Sequence, residues 1–227
     1  ISHAEVADVF FVLASLNPEG GSKSTVAFLV DRSLPGIAVE RIPMRTMKRG
    51  SICKVDFHDV RVPEDHRVLN EGEGLKVSSA NLDIGRYSVA AQALGQAQAS
   101  LDTAVAWAKA RSQFGQPIGK FQMIQQKLAD MVMNVEAARM LVYRVGQLKD
   151  AGAERVSMEA AIAKCYASEA ATRAAMDAIQ ILGARGLSEE FAVSRIPLEA
   201  KVLEIAEGSN QIQRMLIAEY ALGFRKQ

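Results

Sequence analysis

The sequence has little of what marks several protein classes. Its two cysteines provide neither a disulfide framework nor a thiolate metal cluster. Its three histidines lack the spacing of metal ligands, so we predict no metal site. The 27 Lys and Arg residues nearly balance the 26 Asp and Glu residues, and this balance gives no reason to expect a nucleic acid partner. No apolar run approaches the roughly 18 residues of a spanning helix, so we predict no membrane insertion.

Common nucleotide-binding and hydrolase motifs are missing as well. The sequence contains no Gly-Lys-Ser/Thr phosphate loop, and no G-x-G-x-x-G follows a predicted strand. It also lacks the G-x-S-x-G nucleophile elbow. Any chemistry must therefore be carried by other residues.

The first 70 residues predict a small β domain. Short apolar or alternating runs are separated by turn residues, and no helical pattern comes between them. Such spacing favours antiparallel pairing. The predicted strands cover Val9–Leu13, Val26–Val30, 37–42 and 53–57.

Residues 71–227 predict an all-α domain. Apolar residues there recur every three or four positions in long stretches, and Gly and Pro occupy the gaps. Four helices with mostly short loops make an up-down bundle, so the predicted fold class is α+β. The predicted inward stripes are Ala90, Leu94, Ala97, Leu101, Ala104 and Ala108; Ile124, Leu128, Met131, Val135, Ala138 and Val142; Ala161, Cys165, Ser168, Thr172, Ala175, Ile179 and Leu182; and Ile212, Met215, Leu216 and Tyr220.

Polar residues at helix ends allow two interpretations each. Glu207 stands at a break between predicted helices, where Gly208 could end one helix and Ser209 could cap the next. Alternatively, Glu207 projects into a cleft as a catalytic base, beside the free N–H groups of a helix start. Arg111 follows a helix, either as a favourable charge at its C-terminal end or as a phosphate contact.

Two further stretches also allow both a structural and a functional interpretation. The glycines of 180–186 fit a helix C-cap, and they also allow backbone to approach a ligand closely. Asp83 and Arg86 form a pair whose default interpretation is a solvated ion pair. The residues alone do not decide between structural and functional roles.

Taken in order, these stretches resemble the acyl-CoA dehydrogenase family. Each match is weak alone, but all of them occur in the family's order and spacing along nearly the whole chain. The matching segments are Ile1–Ser2, Phe57–Pro63, Gly72–Leu75, Leu82–Arg86, Arg111–Gln122, Gln180–Gly186 and Glu207–Arg214.

The resemblance implies a domain assignment. Residues 1–70 match the later part of the family's middle β domain, and residues 71–227 match its C-terminal four-helix bundle. The family's N-terminal helical domain has no counterpart in these 227 residues. The family's flavin loop, which precedes the position of Ile1, has no counterpart either.

The resemblance also implies site residues and a cofactor, FAD. Glu207 matches the catalytic base, which in some members stands instead at the position of Gly85. The match to Gly183 and its neighbours departs from the usual form, because Ala184 and Leu187 replace a glycine and an aromatic residue. The implied FAD contacts are Ser2, Arg111, Phe114, Phe121, Gln122, Gln180, Gly183, Ala184, Ser209 and Gln211, and the implied acyl-CoA contacts are Asp83, Arg86 and Gly208.

The implied reaction is α,β-dehydrogenation of an acyl thioester. In the family, the thioester oxygen accepts hydrogen bonds from the base residue's N–H and from a flavin hydroxyl. The resemblance further implies a homotetramer built as a dimer of dimers, electron-transferring flavoprotein as acceptor, and a cytoplasmic location (the mitochondrial matrix in a eukaryote).

Several alternatives stay open. An acyl-CoA oxidase would share the site and reoxidise its flavin with O2, and an acyl carrier protein thioester could replace the CoA ester. A flavin monooxygenase of the same fold is disfavoured by Glu207. A non-catalytic helical assembly or binding protein is the alternative of another class.

Overall fold

The computed structural model describes residues 1–46 and 50–225. The chain divides into two compact units, Ile1–Asn81 and Leu82–Gln227. The domain boundary predicted at residue 70 lies near this division and stays a prediction. Among the described residues, no helix combines the length and the apolar character needed to cross a bilayer.

Antiparallel strands build the first unit. Strand β1 (Val9–Ser15) pairs with β2 (Thr25–Asp31), which also pairs with the short β5 (Arg67–Val68). Strand β3 (Ile37–Ile42) pairs with β4 (Ile52–Phe57) in a separate two-stranded sheet. The four predicted strands and their antiparallel pairing are confirmed.

A small apolar cluster holds this unit together. Phe10 and Cys53 are buried in it, together with Ala4 and Val30. Burial on the predicted inward face of β4 decreases toward the end of the strand, where Phe57 is 40% exposed. The Phe57 ring makes an edge contact with the Phe10 ring, with centroids 6.1 Å apart. The face is therefore half-buried, as the alternation predicts.

Helices build the second unit. Helix α1 (Gly74–Ala110) begins in the first unit and runs into the second, where it is followed by the two-residue strands β6 (Ser112–Gln113) and β7 (Gln116–Pro117). The remaining helices are α2 (Gln122–Asp150), α3 (Ser157–Leu182), α4 (Ile196–Ile205) and α5 (Asn210–Ala221). A small β part followed by a helical bundle confirms the predicted fold class.

Alanine dominates the centre of the bundle. Helix α3 packs against α2, α4 and α5, and nine of its fourteen buried residues are alanines. Such short side chains let helix backbones approach closely while the interior stays densely packed. The inward stripes predicted for α1, α2 and α3 are confirmed, with every member buried or half-buried.

The C-terminal region differs from the prediction in two ways. The break at Gly208 predicts a preceding helix but not where it begins, although Pro197 in the first turn of α4 is a typical start signal. In α5 the predicted inward stripe is wrong at Ile212 and Met215, which are 50% and 60% exposed, while Leu216 is buried and Tyr220 is half-buried, as predicted. Asn210 and Gln213 point inward instead, together with Leu216. Buried polar side chains defeat a search for apolar periodicity.

Candidate active site

The residues between α4 and α5 have an unusual backbone. Glu207 has φ +55°, and Gly208, directly after it, has φ +87°. Left-handed backbone costs a residue with a Cβ roughly 1–2 kcal/mol, whereas glycine tolerates it. The segment is a strained turn rather than simple helix punctuation. Ser209 occupies the N-cap position of α5, yet within the described residues its side chain makes no capping hydrogen bond.

The Glu207 carboxylate lies against helix α1. A Cβ at Gly85 would come within 2.8 Å of the carboxylate carbon of Glu207 and closer still to its Oε2. Glycine at position 85 therefore leaves the room that this carboxylate occupies. Glu207 is exposed in this chain, so a ligand can reach it.

The backbone N–H of Glu207 is available as a donor. No hydrogen bond from it is formed to any of the residues 1–46 and 50–225, whereas the N–H of the preceding Ala206 bonds to the carbonyl of Val202. An exposed carboxylate and a free N–H thus belong to the same residue. Together they offer a base and an oxyanion donor.

A buried lysine lies behind this segment. Lys164 of α3 has none of its surface exposed, and its Nζ donates to the carbonyls of Glu204 at 2.9 Å and Gly208 at 2.8 Å. It also donates to Oδ1 of Asn210 at 2.7 Å. Burial lowers the pKa of Lys164 from 10.5 to about 8, and interactions with Cys165 and Glu204 offset part of that effect. Sequence reasoning missed this residue because a lysine in an alanine-rich stripe carries no motif.

The lowered pKa of Lys164 predicts how stability depends on pH. Between pH 8 and pH 10.5 the unfolded chain binds more protons at this lysine than the folded chain does, so this group makes the free energy of unfolding rise with pH. We expect a contribution of about 1.4 kcal/mol per pH unit within this range. Urea unfolding across the range should show the contribution in the wild type and its loss in Lys164→Met.

Lys127 provides the matched control for this measurement. It forms a partly exposed ion pair with Asp177 at 2.6 Å, joining α2 to α3. Lys127→Met makes the same chemical change away from the buried site, and we expect it to keep the wild-type pH slope. Parallel stability profiles for wild type and Lys164→Met would contradict the prediction.

Asp83 and Arg86 form a largely buried pair rather than a solvated one. Arg86 Nη1 donates to Asp83 Oδ1 at 3.2 Å, and the two side chains are only 10% and 19% exposed. Ser157 at the start of α3 donates its hydroxyl to the other oxygen of Asp83 at 2.7 Å. The buried Nε of Arg86 has no partner among the described residues. The pair thus ties α1 to α3 and keeps one donor unused.

A cleft of about 530 Å³ lies at the other end of α3. It brings together four of the predicted cofactor contacts, Arg111, Gln180, Gly183 and Ala184. Sequence reasoning missed its further lining residues, because their types are ordinary at helix ends. These residues are Trp107, Gln113, Ile118, Ile181, Leu182 and Arg185.

The cleft residues fit a nucleotide diphosphate. Arg111 offers a guanidinium for phosphate, and Gly183, with φ +63°, has open space on the side where a Cβ would stand. The guanidinium of Arg185 lies over the rings of Trp107 and Phe191 at 5.9 and 6.0 Å and pairs with Glu190. The backbone at Gly186 is tightly packed, since a Cβ there would meet the backbone of Ile179 at 2.8 Å.

The Arg111–Gln122 stretch forms a small hairpin beside this cleft. Phe114 and Gly115 connect β6 to β7 with φ +52° and +77°, as a two-residue turn of type I′ requires. The Phe114 side chain is 92% exposed and makes an edge contact with Phe121, with centroids 6.1 Å apart. Phe114, Phe121 and the exposed Gln122 do not line the cleft.

The other predicted contacts are not among the residues that line the cleft. Ser2 is exposed in the first unit and forms an isolated β-bridge with Ile52. Ser209 and Gln211 follow Glu207 at the start of α5, where Ser209 is half-buried and Gln211 is exposed. Among the described residues, no group of three or more His, Cys, Asp or Glu side chains could hold a metal ion.

Comparison with known proteins gives consistent matches. Residues 72–222 match the family model described as acyl-CoA dehydrogenase, C-terminal domain. An acyl-CoA dehydrogenase of Bacillus subtilis (strain 168) is 42% identical over 224 residues, and a short-chain specific acyl-CoA dehydrogenase of Megasphaera elsdenii is 40% identical over 217. These alignments cover 98% and 95% of this chain but 59% and 56% of the relatives, so the chain spans little more than half their length.

Solved structures show the same architecture. The glutaryl-coenzyme A dehydrogenase complex with glutaryl-CoA superposes with a TM-score of 0.93 at 37% identity, covering 99% of this chain and 57% of that one. The structure of PigA with FAD and proline superposes with a TM-score of 0.93 at 31% identity, covering 99% and 58%.

Proposed function

Because the chain belongs to the acyl-CoA dehydrogenase family, we propose that it carries the base and part of the cofactor site of an FAD-dependent acyl-CoA dehydrogenase. The observation that carries this proposal is the Glu207 segment, where a reachable carboxylate and a free backbone N–H belong to one residue. Both groups are needed to remove a proton next to a thioester carbonyl.

The first step of the proposed reaction is proton abstraction. The α-proton of a thioester is too weakly acidic for a free carboxylate, so the site must stabilise the charge that develops on the carbonyl oxygen. The Glu207 N–H would donate to that oxygen, and one such donor is typically worth about 3 kcal/mol. The Glu207 carboxylate then takes the α-proton, and exclusion of water by the substrate favours this transfer.

The cleft residues are proposed to contact the cofactor. Arg111, Gln180 and Gly183 would contact FAD there, with the guanidinium on a phosphate and the glycine backbone close to the nucleotide. As in the family, the FAD in this cleft would be held mainly by a neighbouring subunit of the proposed oligomer. The chemistry that FAD supplies when bound is acceptance of the β-hydride at N5, which removes the two electrons of that C–H bond. The predicted contacts from Ser2, Phe114, Phe121, Gln122, Ala184, Ser209 and Gln211 belong to the same proposal.

The substrate side is proposed at Asp83, Arg86 and Gly208. The unused Nε donor of Arg86 gives this position a polar group still to be satisfied. CoA is favoured over a carrier protein as the thioester partner. The acyl-CoA dehydrogenase relatives are 40–42% identical to the chain, whereas the prolyl acyl carrier protein oxidase AnaB is 28% identical.

Association into a homotetramer and electron transfer to electron-transferring flavoprotein complete the proposal. Exposed apolar side chains on α2 support self-association: Met133, Met140 and Tyr143 are 61%, 67% and 56% exposed, and their spacing places them along one side of the helix. Sedimentation of the purified protein at several concentrations tests the oligomeric state.

Flavin reduction tests the proposed function. The complete protein that contains this chain is purified and scanned for flavin absorbance, and acyl-CoA esters of short, medium and long chains are added without oxygen. We expect bleaching of the flavin and formation of the 2-enoyl-CoA product. A flavin that none of these esters bleaches would contradict the proposal, and absence of flavin would favour the assembly protein.

Two further measurements separate the enzyme alternatives. Oxygen consumption in the absence of another acceptor identifies an oxidase. Faster reduction by the same acyl group on a carrier protein than on CoA identifies a carrier-protein enzyme. We expect slow oxygen consumption and faster reduction by the CoA ester.

A further inference from the structure

We propose that Lys164 is a positioning residue for Glu207: its ammonium group binds the backbone on both sides of that residue and so fixes the direction in which the carboxylate projects. The inference rests on the proposed function of Glu207. It concerns a buried side chain that would act through the backbone and would not touch the substrate.

The hydrogen bonds of Lys164 bracket the base. Glu204 contributes its carbonyl three residues before Glu207, and Gly208 contributes its carbonyl one residue after it. The third acceptor, Oδ1 of Asn210, belongs to the first residue of α5. One ammonium group on α3 therefore connects the end of α4, the turn and the start of α5.

Gln213 provides a second donor to the same turn. Its Nε2 donates to the carbonyl of Glu207 at 3.2 Å and to that of Gly208 at 2.9 Å. The carbonyl of Gly208 thus accepts from both Lys164 and Gln213. Both donors are fully buried, and inside a protein such hydrogen bonds are electrostatically stronger than in water.

The backbone of the turn needs such support. Glu207 and Gly208 have consecutive positive φ values, which the chain adopts only where surrounding contacts hold it there. Without the donors behind it, the turn is free to relax toward ordinary backbone conformations. The carboxylate of Glu207 would then leave its place against Gly85.

A purely structural role would not require this set of acceptors. Buried lysines are usually paired with a carboxylate, yet the three acceptors of Lys164 are two carbonyls and one side-chain amide of residues 204–210. Both carbonyls lie at or just beyond the C-terminal end of α4, where the helix dipole favours a cation. The charge of Lys164 is thus directed at the turn itself.

Burial and charged neighbours together set the pKa of Lys164, and burial has the larger effect. Glu204 on α4 and Glu169 on its own helix favour the charged form, as does Cys165, while Arg86 on α1 opposes it. Burial dominates and lowers the pKa to about 8. In the wild type we therefore expect the turnover rate to fall as pH rises through about 8, because the turn then loses its charged donor.

The test compares Lys164→Met and Gln213→Leu with wild type in the complete flavoenzyme. We expect each variant to lower kcat by about 100-fold, the typical cost of displacing a catalytic group by roughly 1 Å, with KM for the acyl-CoA ester nearly unchanged. The fall in rate near pH 8 should disappear in Lys164→Met. The double variant should lose much less than the product of the two single losses, since both donors hold one turn.

Lys127→Met is the control, and we expect wild-type kcat from it. Amide hydrogen exchange provides a readout that does not depend on turnover: it should be faster at residues 204–210 in Lys164→Met than in Lys127→Met. Should Lys164→Met fail to fold, Gln213→Leu decides by the same criteria.

The outcomes distinguish failure of the positioning role of Lys164 from failure of the proposed function. Wild-type kcat in both Lys164→Met and Gln213→Leu, with an active parent enzyme, would overturn the positioning role and leave the proposed function standing. A parent enzyme that holds FAD but dehydrogenates no acyl-CoA ester would overturn the proposed function and this inference with it.

Discussion

Replacing Glu207 with Gln is expected to lower the rate of acyl-CoA dehydrogenation by at least about 10⁴-fold, the upper range for loss of a general base. Glutamine keeps the size of the side chain and can keep the turn, but its amide cannot accept the α-proton. Flavin binding should persist, because the carboxylate of Glu207 is not among the proposed FAD contacts. Single-turnover reduction of the flavin by an acyl-CoA ester measures the effect.

Glu199→Gln is the matched control for Glu207→Gln. Glu199 lies on α4 and pairs with the exposed Arg195 at 3.3 Å, so the same change there removes only a surface ion pair. We expect the control to keep wild-type rates. If Glu207→Gln kept more than about a tenth of the wild-type rate, a range outside the effects of general base loss, the base would have to be another residue.

The second large effect is expected from Gly85→Ala. A methyl group at this position would collide with the carboxylate of Glu207, so the base must leave its place. We expect kcat to fall by about 100-fold, as for other small displacements of a reacting group. Steady-state kinetics measure the loss, and urea unfolding measures stability in the same samples.

Gly95→Ala separates the collision from the effect of alanine on the helix. Gly95 lies on the same helix, and a Cβ there meets no atom within 4 Å. Alanine should stabilise the helix at both positions by about 0.5–1 kcal/mol. We therefore expect Gly95→Ala to keep its activity. Gly85→Ala should lose activity, and the higher helix propensity of alanine cannot account for that loss. Equal activity in the two variants would show that position 85 does not constrain the base.

The fold was predictable wherever side-chain periodicity reflects burial. The inward residues of α1 to α3 repeat at helical spacing, and Cys53, Val55 and Phe57 alternate as a strand does. The prediction from apolar periodicity failed at α5, because Asn210 and Gln213 on its inner face form hydrogen bonds with other polar groups. Such polar cores are stable only when their partners are in place, and the partner of Asn210, Ser168, is distant in sequence.

The site was predictable as a set of positions but not as a geometry. Order and spacing of short matches predict Glu207, Arg111 and Gln180 as site residues, and the structure places the last two in one cleft, while their roles stay a prediction. The buried state of the Asp83–Arg86 pair was not predictable, because Ser157, which completes it, comes from another helix. Lys164 was missed for the same reason, since its acceptors lie 40 to 46 residues further along the chain.

Helix α3 also determines which variants can be combined. Lys164 and Gln180 are sixteen residues apart on one helix, which corresponds to about 24 Å along its axis. Side chains so far apart do not contact each other, and the free-energy effects of substitutions at well-separated sites add almost independently. Weakened nucleotide binding and impaired proton removal can therefore be engineered separately in this protein, and a double variant with one change at each end should combine the two defects without amplifying them.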